Sequence, residues 1–188
     1  RYEWSLGSNG TSTSQQIPDL NFINSTTDYT IQTEKLKLKV FYKGDATCFK
    51  EVERSVDVYP GTRSDFAMDV TEACNPLVVN FTNETKSYNN SASYKWSFGS
   101  LGSSGDVNPK YTFTNLSRTE RVTYAVKLKS TSIHGCSDST TKTVVVRPIP
   151  KAQMAINTAS GCAPFNVDVQ NLSIGSMPTY TFWLDNDR

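Results

Sequence analysis

The chain of 188 residues has no excess of either charge: 19 Lys and Arg stand against 18 Asp and Glu, and the formal net charge is +1. Such a surface offers no electrostatic footprint for nucleic acid or for an acidic membrane, so neither is expected as a partner. No apolar run approaches the ~20 residues of a membrane-spanning helix, and membrane insertion is not expected either. There is no signal-peptide pattern at the N-terminus, as expected of a chain that starts inside a domain. The only histidine is His134, and HExxH, GxSxG and Cys-x-x-Cys spacings are all missing. One imidazole without converging partners makes neither a catalytic triad nor a zinc site. No catalytic, cofactor-binding or metal-binding residue is therefore assigned, no cofactor is expected, and the chain reads as a non-enzyme. A 3.6-residue apolar period with caps is also missing, which excludes a helical domain.

What is present is Ser, Thr and Asn in abundance, with hydrophobic residues at 37%. Strand-favouring Val, Tyr, Phe and Thr punctuate these polar stretches, the composition of an extracellular all-β protein. The phrase Tyr94-Lys95-Trp96-Ser97-Phe98-Gly99 alternates large aromatic and polar residues with a period of two, as in a strand with one face buried. It occurs also as Tyr2-Glu3-Trp4-Ser5-Leu6-Gly7, and more weakly as Tyr180-Thr181-Phe182-Trp183-Leu184-Asp185. Three copies of one strand indicate a repeat.

Other landmarks give its length. Cys48 and Cys136 are 88 residues apart, as are Cys74 and Cys162, and Pro60 and Pro148. The expected division is the C-terminal half of a repeat in residues 1–60, a complete repeat in 61–148, and the N-terminal half of another in 149–188. A unit of this size can enclose a modest core of its own.

In the first half, Leu36, Leu38 and Val40 alternate with Lys35, Lys37 and Lys39 in a half-buried strand, and Val52, Val56 and Val58 carry its return. In the complete repeat, Phe66, Met68 and Val70 form a first strand and residues 71–76 a turn. Leu77, Val79 and Phe81 form a second strand, before the aromatic phrase. Tyr111 and Phe113, then Tyr124, Val126 and Leu128, then Val144 and Val146 continue the pattern, with Val145 facing outward. The expected core is Leu77, Val79, Phe81, Tyr94, Trp96, Phe98, Tyr124, Val126, Leu128, Val144 and Val146. The third unit repeats this opening, with Met154, Ile156, Phe165, Val167 and Val169 each 88 residues beyond its counterpart. About seven short strands, with turn signals every 8 to 12 residues, predict tandem immunoglobulin-like antiparallel β-sandwiches.

The order Cys-x-Pro, Asn-x-Ser/Thr, Tyr-x-Trp-x-Phe-Gly, Asn-Pro-x-Tyr-x-Phe, Tyr-x-Val-x-Leu, Gly-Cys-Ser-Asp-Ser and Val-x-Val-x-Pro resembles a PKD (polycystic kidney disease) repeat. Its cysteine-containing form is similar to the repeats of giant gliding-motility surface adhesins exported by type IX secretion. The resemblance implies an extracellular, cell-surface segment with a structural and adhesive role. Its partners would be neighbouring repeats of the same chain, with surface polysaccharide or the motility and secretion machinery beyond them. The alternative it leaves open is an accessory array of a secreted polysaccharide- or protein-degrading enzyme. The chain departs from the family where the usual Gly-Asp-Gly after the aromatic strand is Gly99-Ser100-Leu101 and Gly7-Ser8-Asn9.

The remaining conspicuous residues have plain readings. Lys35, Lys37 and Lys39 read as a solvated face that discourages edge-to-edge pairing. His134 sits in a turn, while Asp185, Asn186 and Asp187 are too few for a calcium site of six to eight oxygens and read as a solvated loop. Trp4, Trp96 and Phe182 have the parity of core residues; Trp183 has the opposite parity and is the one aromatic read as a contact residue. The Asn-x-Ser/Thr triplets at Asn24, Asn80, Asn83, Asn89, Asn115 and Asn171 fit the glycosylation pattern, and turn chemistry explains most of them. Cys74 and Cys136 fall at opposite ends of an immunoglobulin-like sandwich, too far apart for one disulfide. They are expected instead to staple successive repeats through cysteines outside this chain, leaving all four cysteines here unpaired.

Overall fold

The computed structural model describes residues 1–175, 179 and 181. The third aromatic phrase from Phe182 onward, Trp183 and the acidic run Asp185 to Asp187 lie outside the described residues. In chain order the strands are β1 (Tyr2–Leu6), β2 (Thr11–Ser12), β3 (Gln32–Phe41), β4 (Phe49–Val58), β5 (Phe66–Met68), β6 (Glu72–Cys74) and β7 (Leu77–Asn83). They continue with β8 (Ala92–Ser97), β9 (Ser103–Ser104), β10 (Lys110–Phe113), β11 (Val122–Ser132), β12 (Ser137–Arg147), β13 (Met154–Ile156) and β14 (Val169–Asn171). Two short 3-10 turns, Gly7–Asn9 and Tyr88–Asn90, are the only helical segments among the described residues. The protein is all-β, of immunoglobulin-like antiparallel sandwich type. Its sheets run in the orders β2-β1-β3-β4, β10-β7-β5, β6-β12-β11-β8-β9 and β13-β14.

By contacts the chain divides into two compact units. The first comprises Arg1–Phe66, Asn83–Trp96 and Leu128–Thr140, the second Ala67–Thr82, Ser97–Lys127 and Thr141–Arg188.

In the first unit, β3 and β4 pair along ten residues, Gln32 with Val58 through Phe41 with Phe49. That register puts Leu36, Leu38, Val40, Val52, Val56 and Val58 on one face and Lys35, Lys37, Lys39, Glu51 and Glu53 on the other, as a period of two requires. The lysines form a ladder with the acids of β4: Lys37 lies 2.9 Å from Glu51, Lys39 3.4 Å from Glu51, and Lys35 3.5 Å from Glu53. The expectation that they guard an edge is corrected here, because β3 lies inside its sheet between β1 and β4. They balance facing carboxylates instead, as opposite charges across a strand pair do.

The hydrogen bond from Lys37, with the charges of Lys37 and Lys39, holds the Glu51 carboxyl below its ordinary value of 4.5, while Glu51 raises Lys37 above 10.5. A lowered acid contributes stability above its unfolded value and loses it as pH falls through the folded one; a raised base loses its share as pH rises through its folded value. Hairpin amide protection should therefore hold at neutral pH and decline on acidification below the usual Glu range. In Lys37→Ala the NMR titration midpoint of Glu51 should move up toward 4.5, and an unchanged midpoint would remove the ladder from the account.

Also in this unit, Phe66 and Trp96 are fully buried and meet edge to face, with centroids 5.0 Å apart. Phe66 belongs to the three-stranded sheet and Trp96 to the five-stranded one, so this pair bridges the two layers. Trp4, at the corresponding place in the first aromatic phrase, is only half-buried, and its Nε1 donates to the Ser14 carbonyl. Gly7 has φ of +60°, and a Cβ there would run into the Glu34 carboxylate that accepts from the Ser8 amide, so glycine is favoured.

In the second unit the packing is dominated by aromatic residues. Phe81 of β7 lies 5.5 Å from Phe98, and Phe113 of β10 lies 5.2 Å from Tyr124 of β11. All expected core positions are buried except Tyr94 and Tyr124, which are half-buried; the Tyr124 hydroxyl reaches the Thr114 carbonyl. Val145 is less buried than Val144 and Val146, in line with the expected parity. Sequence reading missed Phe66 and Phe113 as members of the innermost core.

The expected turn over 71–76 is also corrected. Glu72–Cys74 forms β6, which leaves the β5 sheet and pairs in parallel with the end of β12: Glu72 with Val145, Ala73 with Val146, Cys74 with Arg147. A three-residue segment leaves too little periodicity to be read, and its pairing partner is over 70 residues away.

In β13–β14 the register is Met154 with Asn171 through Ile156 with Val169. Here β14 has three residues, whereas the equivalent β7 has seven. Strand β7 is paired on both sides, by β10 and β5, and β14, among the described residues, by β13 alone.

Candidate functional site

Four of the Asn-x-Ser/Thr triplets share one geometry. The side-chain oxygen of the asparagine accepts the amide N–H two residues on: Thr26 to Asn24, Thr85 to Asn83, Ser117 to Asn115, Ser173 to Asn171. These are Asx turns, formed because the short amide reaches its own backbone. Two of them also clasp the last strand of their repeat. Asn115 is 3% exposed, and its Nδ2 donates to the carbonyls of Val146 (2.8 Å) and Glu120 (2.7 Å). Asn24 does the same with Val58 and Thr30. Val58 and Val146 are 88 residues apart, so one tertiary clasp recurs in both copies.

An open cleft of about 1120 Å³ lies in the first unit. Its walls come from the loop 26–31, the joint 60–63 and the loop 86–90. Arg63 and Lys86 exchange backbone hydrogen bonds of 2.9 Å across its floor. The three described non-glycine residues with positive φ, Tyr29 (58°), Asn89 (52°) and Asn90 (51°), all line it. Its carboxylate, Asp28, accepts from the Thr30 hydroxyl at 2.8 Å, and that bond, despite the opposing effect of desolvation, holds its pKa below the usual range. A carboxyl so held stays ionised as a turn acceptor and is unsuited to general acid chemistry. No nucleophile stands beside a base here, and no group of three metal-capable side chains occurs among the described residues. The cleft offers hydroxyls, amides and two cations, which suits polar contact.

Beside it, Tyr59 stacks on His134 with centroids 3.4 Å apart, and Tyr88 meets Tyr59 edge-on at 5.4 Å. His134 occupies the expected β11–β12 turn, and Gly135 supplies the positive φ of 84° there. The stack could not be read from the repeat, because Arg147 stands at the position of Tyr59 in the next copy. That arginine instead bonds Glu72 at 2.7 Å, and Arg121 approaches the same carboxylate at 3.1 Å.

All four cysteines are unpaired. Cys136 precedes the first residue of β12, and its carbonyl accepts from the Thr62 hydroxyl; Cys74 is registered with the last residue, Arg147. Arg147 is 11 residues beyond Cys136, ~36 Å of extended strand at ~3.3 Å per residue, against the ~7 Å limit of a disulfide.

No protein-family model matches the chain, and no curated protein does. Among solved structures it is similar to the PKD1 domain of the Vibrio cholerae metalloprotease PrtV, with 25% identity and a TM-score of 0.38 over 46% of this chain and 96% of that one. It is similar also to the PKD1 domain of Vibrio anguillarum Epp, with 23% identity and a TM-score of 0.38 over 47% and 95%. The amphioxus IgVJ-C2 molecule matches at 11% identity and a TM-score of 0.35, over 76% of this chain and 86% of that one. Among solved structures the chain is thus similar to PKD and immunoglobulin-like domains.

Proposed function

We propose that residues 61–148 are a tension-bearing spacer module of an extracellular repeat protein, a cell-surface adhesin of gliding-motility type, flanked in 1–60 and 149–188 by parts of adjoining repeats. The module performs no catalysis; its work is to keep neighbouring units apart and aligned under load, with surface polysaccharide or the motility machinery as outer partners. The observation that carries this reading is the parallel pairing of β6 with β12. In a parallel pair, tension applied through the N-terminal side of one strand and the C-terminal side of the other lies along the strands. Its hydrogen bonds are then loaded together in shear. The Val145 amide donates to the Thr71 carbonyl at 2.8 Å and the Asn75 amide to Arg147 at 3.0 Å, and the Glu72–Arg147 ion pair closes the same clamp.

Single-molecule pulling across residues 61–148 tests this. One cooperative rupture is expected, with a length gain equal to the extended length of these residues, on the order of 290 Å at ~3.3 Å per residue, less the folded span between the pulled ends. Val145→Pro removes a clamp donor and should lower the rupture force without changing that gain. An unchanged force in this variant, or gradual extension of the unaltered protein, would overturn the proposal.

A further inference from the structure

Residues 58 to 64 lead from the first half-repeat into the complete one, and nearly all of them are tied down. Val58 ends the β3–β4 pairing opposite Gln32, and the Asn24 amide donates to its carbonyl at 2.6 Å. Tyr59, the very next residue, is held from the other side of the joint. Its ring stacks on His134 of the β11–β12 turn at 3.4 Å and meets Tyr88 of the β7–β8 loop at 5.4 Å, while Tyr88 and His134 are themselves 5.6 Å apart. Pro60 is buried, and after Gly61 the anchors resume. The Thr62 hydroxyl donates to the Cys136 carbonyl at 2.9 Å, and Arg63 exchanges backbone hydrogen bonds with Lys86. Ser64 donates twice to Asp138, from its amide to the carboxylate and from its hydroxyl to the carbonyl, each at 2.8 Å.

A hinge needs residues free to absorb a change of φ and ψ. Between Val58, fixed to the first half-repeat, and Tyr59, fixed to the complete repeat, there is none. Contacts group the chain in the same way, since Arg1–Phe66 falls into one compact unit with Asn83–Trp96 and Leu128–Thr140, the segments that carry Tyr88 and His134. We propose that this joint is a lock rather than a hinge, with Tyr59 as its key: the last ring of one repeat docks on an aromatic seat, Tyr88 and His134, at the end of the next. The seat selects an aromatic partner. At the following joint Arg147 stands in the place of Tyr59, and it bonds Glu72 of its own repeat instead. The inference rests on the spacer reading for its purpose, because a locked joint is what keeps successive units aligned.

Residual dipolar couplings of the 188-residue protein are the test, because they report whether two segments share one orientation in solution. In the unaltered protein, the amides of Gln32–Phe41 and Phe49–Val58 should fit one alignment tensor together with those of Leu128–Thr140. Tyr59→Ala and His134→Ala each remove one ring of the stack and should split these amides into two sets with different tensors. His134 lies in an exposed turn, so its variant loosens the joint without altering a strand, and unchanged strand chemical shifts verify that both segments stay folded. Tyr59→Phe keeps the ring and should keep the single tensor. Two tensors in the unaltered protein, or one tensor retained in both alanine variants, would overturn the proposal. The spacer reading is tested separately by the rupture force of residues 61–148, which His134→Ala should leave unchanged.

Discussion

Trp96→Ala is expected to reduce the unfolding free energy by about 3–5 kcal/mol, the range for truncating a large aromatic in a close-packed core. Trp96 is fully buried, and its edge-to-face contact with Phe66 adds to the area it removes from water. Against a total of about 5–15 kcal/mol for a domain, such a loss leaves little or nothing. The measurement is urea unfolding followed by far-ultraviolet circular dichroism, with the slope held constant as evidence that the same surface unfolds. Trp4→Ala provides the internal comparison: the half-buried ring should cost clearly less, although the two tryptophans stand in the same phrase. Equal losses at both would show that burial does not separate the two copies.

Asn115→Ala is expected to cost about 2–4 kcal/mol, although it removes no apolar surface. Its Nδ2 serves two carbonyls, and its Oδ1 accepts the Ser117 amide at 2.8 Å. Truncation leaves these groups without the partner that burial selected, at about 1–3 kcal/mol for each group that water cannot reach. The Val146 carbonyl lies in the most enclosed of these bonds and should dominate. Asn115→Asp separates the two ends of the amide, because a carboxylate keeps the acceptor for Ser117 but turns a second acceptor toward the carbonyls of Val146 and Glu120. It should therefore be at least as damaging as alanine, and an Asp variant of native stability would refute the clasp. Both variants can be ranked by thermal unfolding at neutral pH.

Much of this molecule is legible because it is periodic twice over. Alternation along Tyr94 to Phe98 and along Tyr124 to Leu128 determines which side chains face inward, since the pleat allows no other arrangement. The 88-residue recurrence of cysteines and prolines determines that one fold is used more than once. Val145 could be turned outward from sequence alone, because its counterpart in the earlier copy is Asp57.

What tertiary structure decided is whatever depends on which strand lies next to which. Lys35, Lys37 and Lys39 look like an edge guard until β1 and β4 are found on either side of β3. Glu72–Cys74 looks like part of a turn until the end of β12, over 70 residues on, pairs with it and makes the clamp. Asn115 looks like one of several similar triplets, and its burial beneath Val146 sets it apart. The stack of Tyr59 on His134 has no counterpart in the next copy, so no repeat could announce it. Periodicity is carried by neighbouring residues and can be read along the chain. Contacts between distant segments are chosen by the free energy of the assembled layers, and the sequence states them only through the fold.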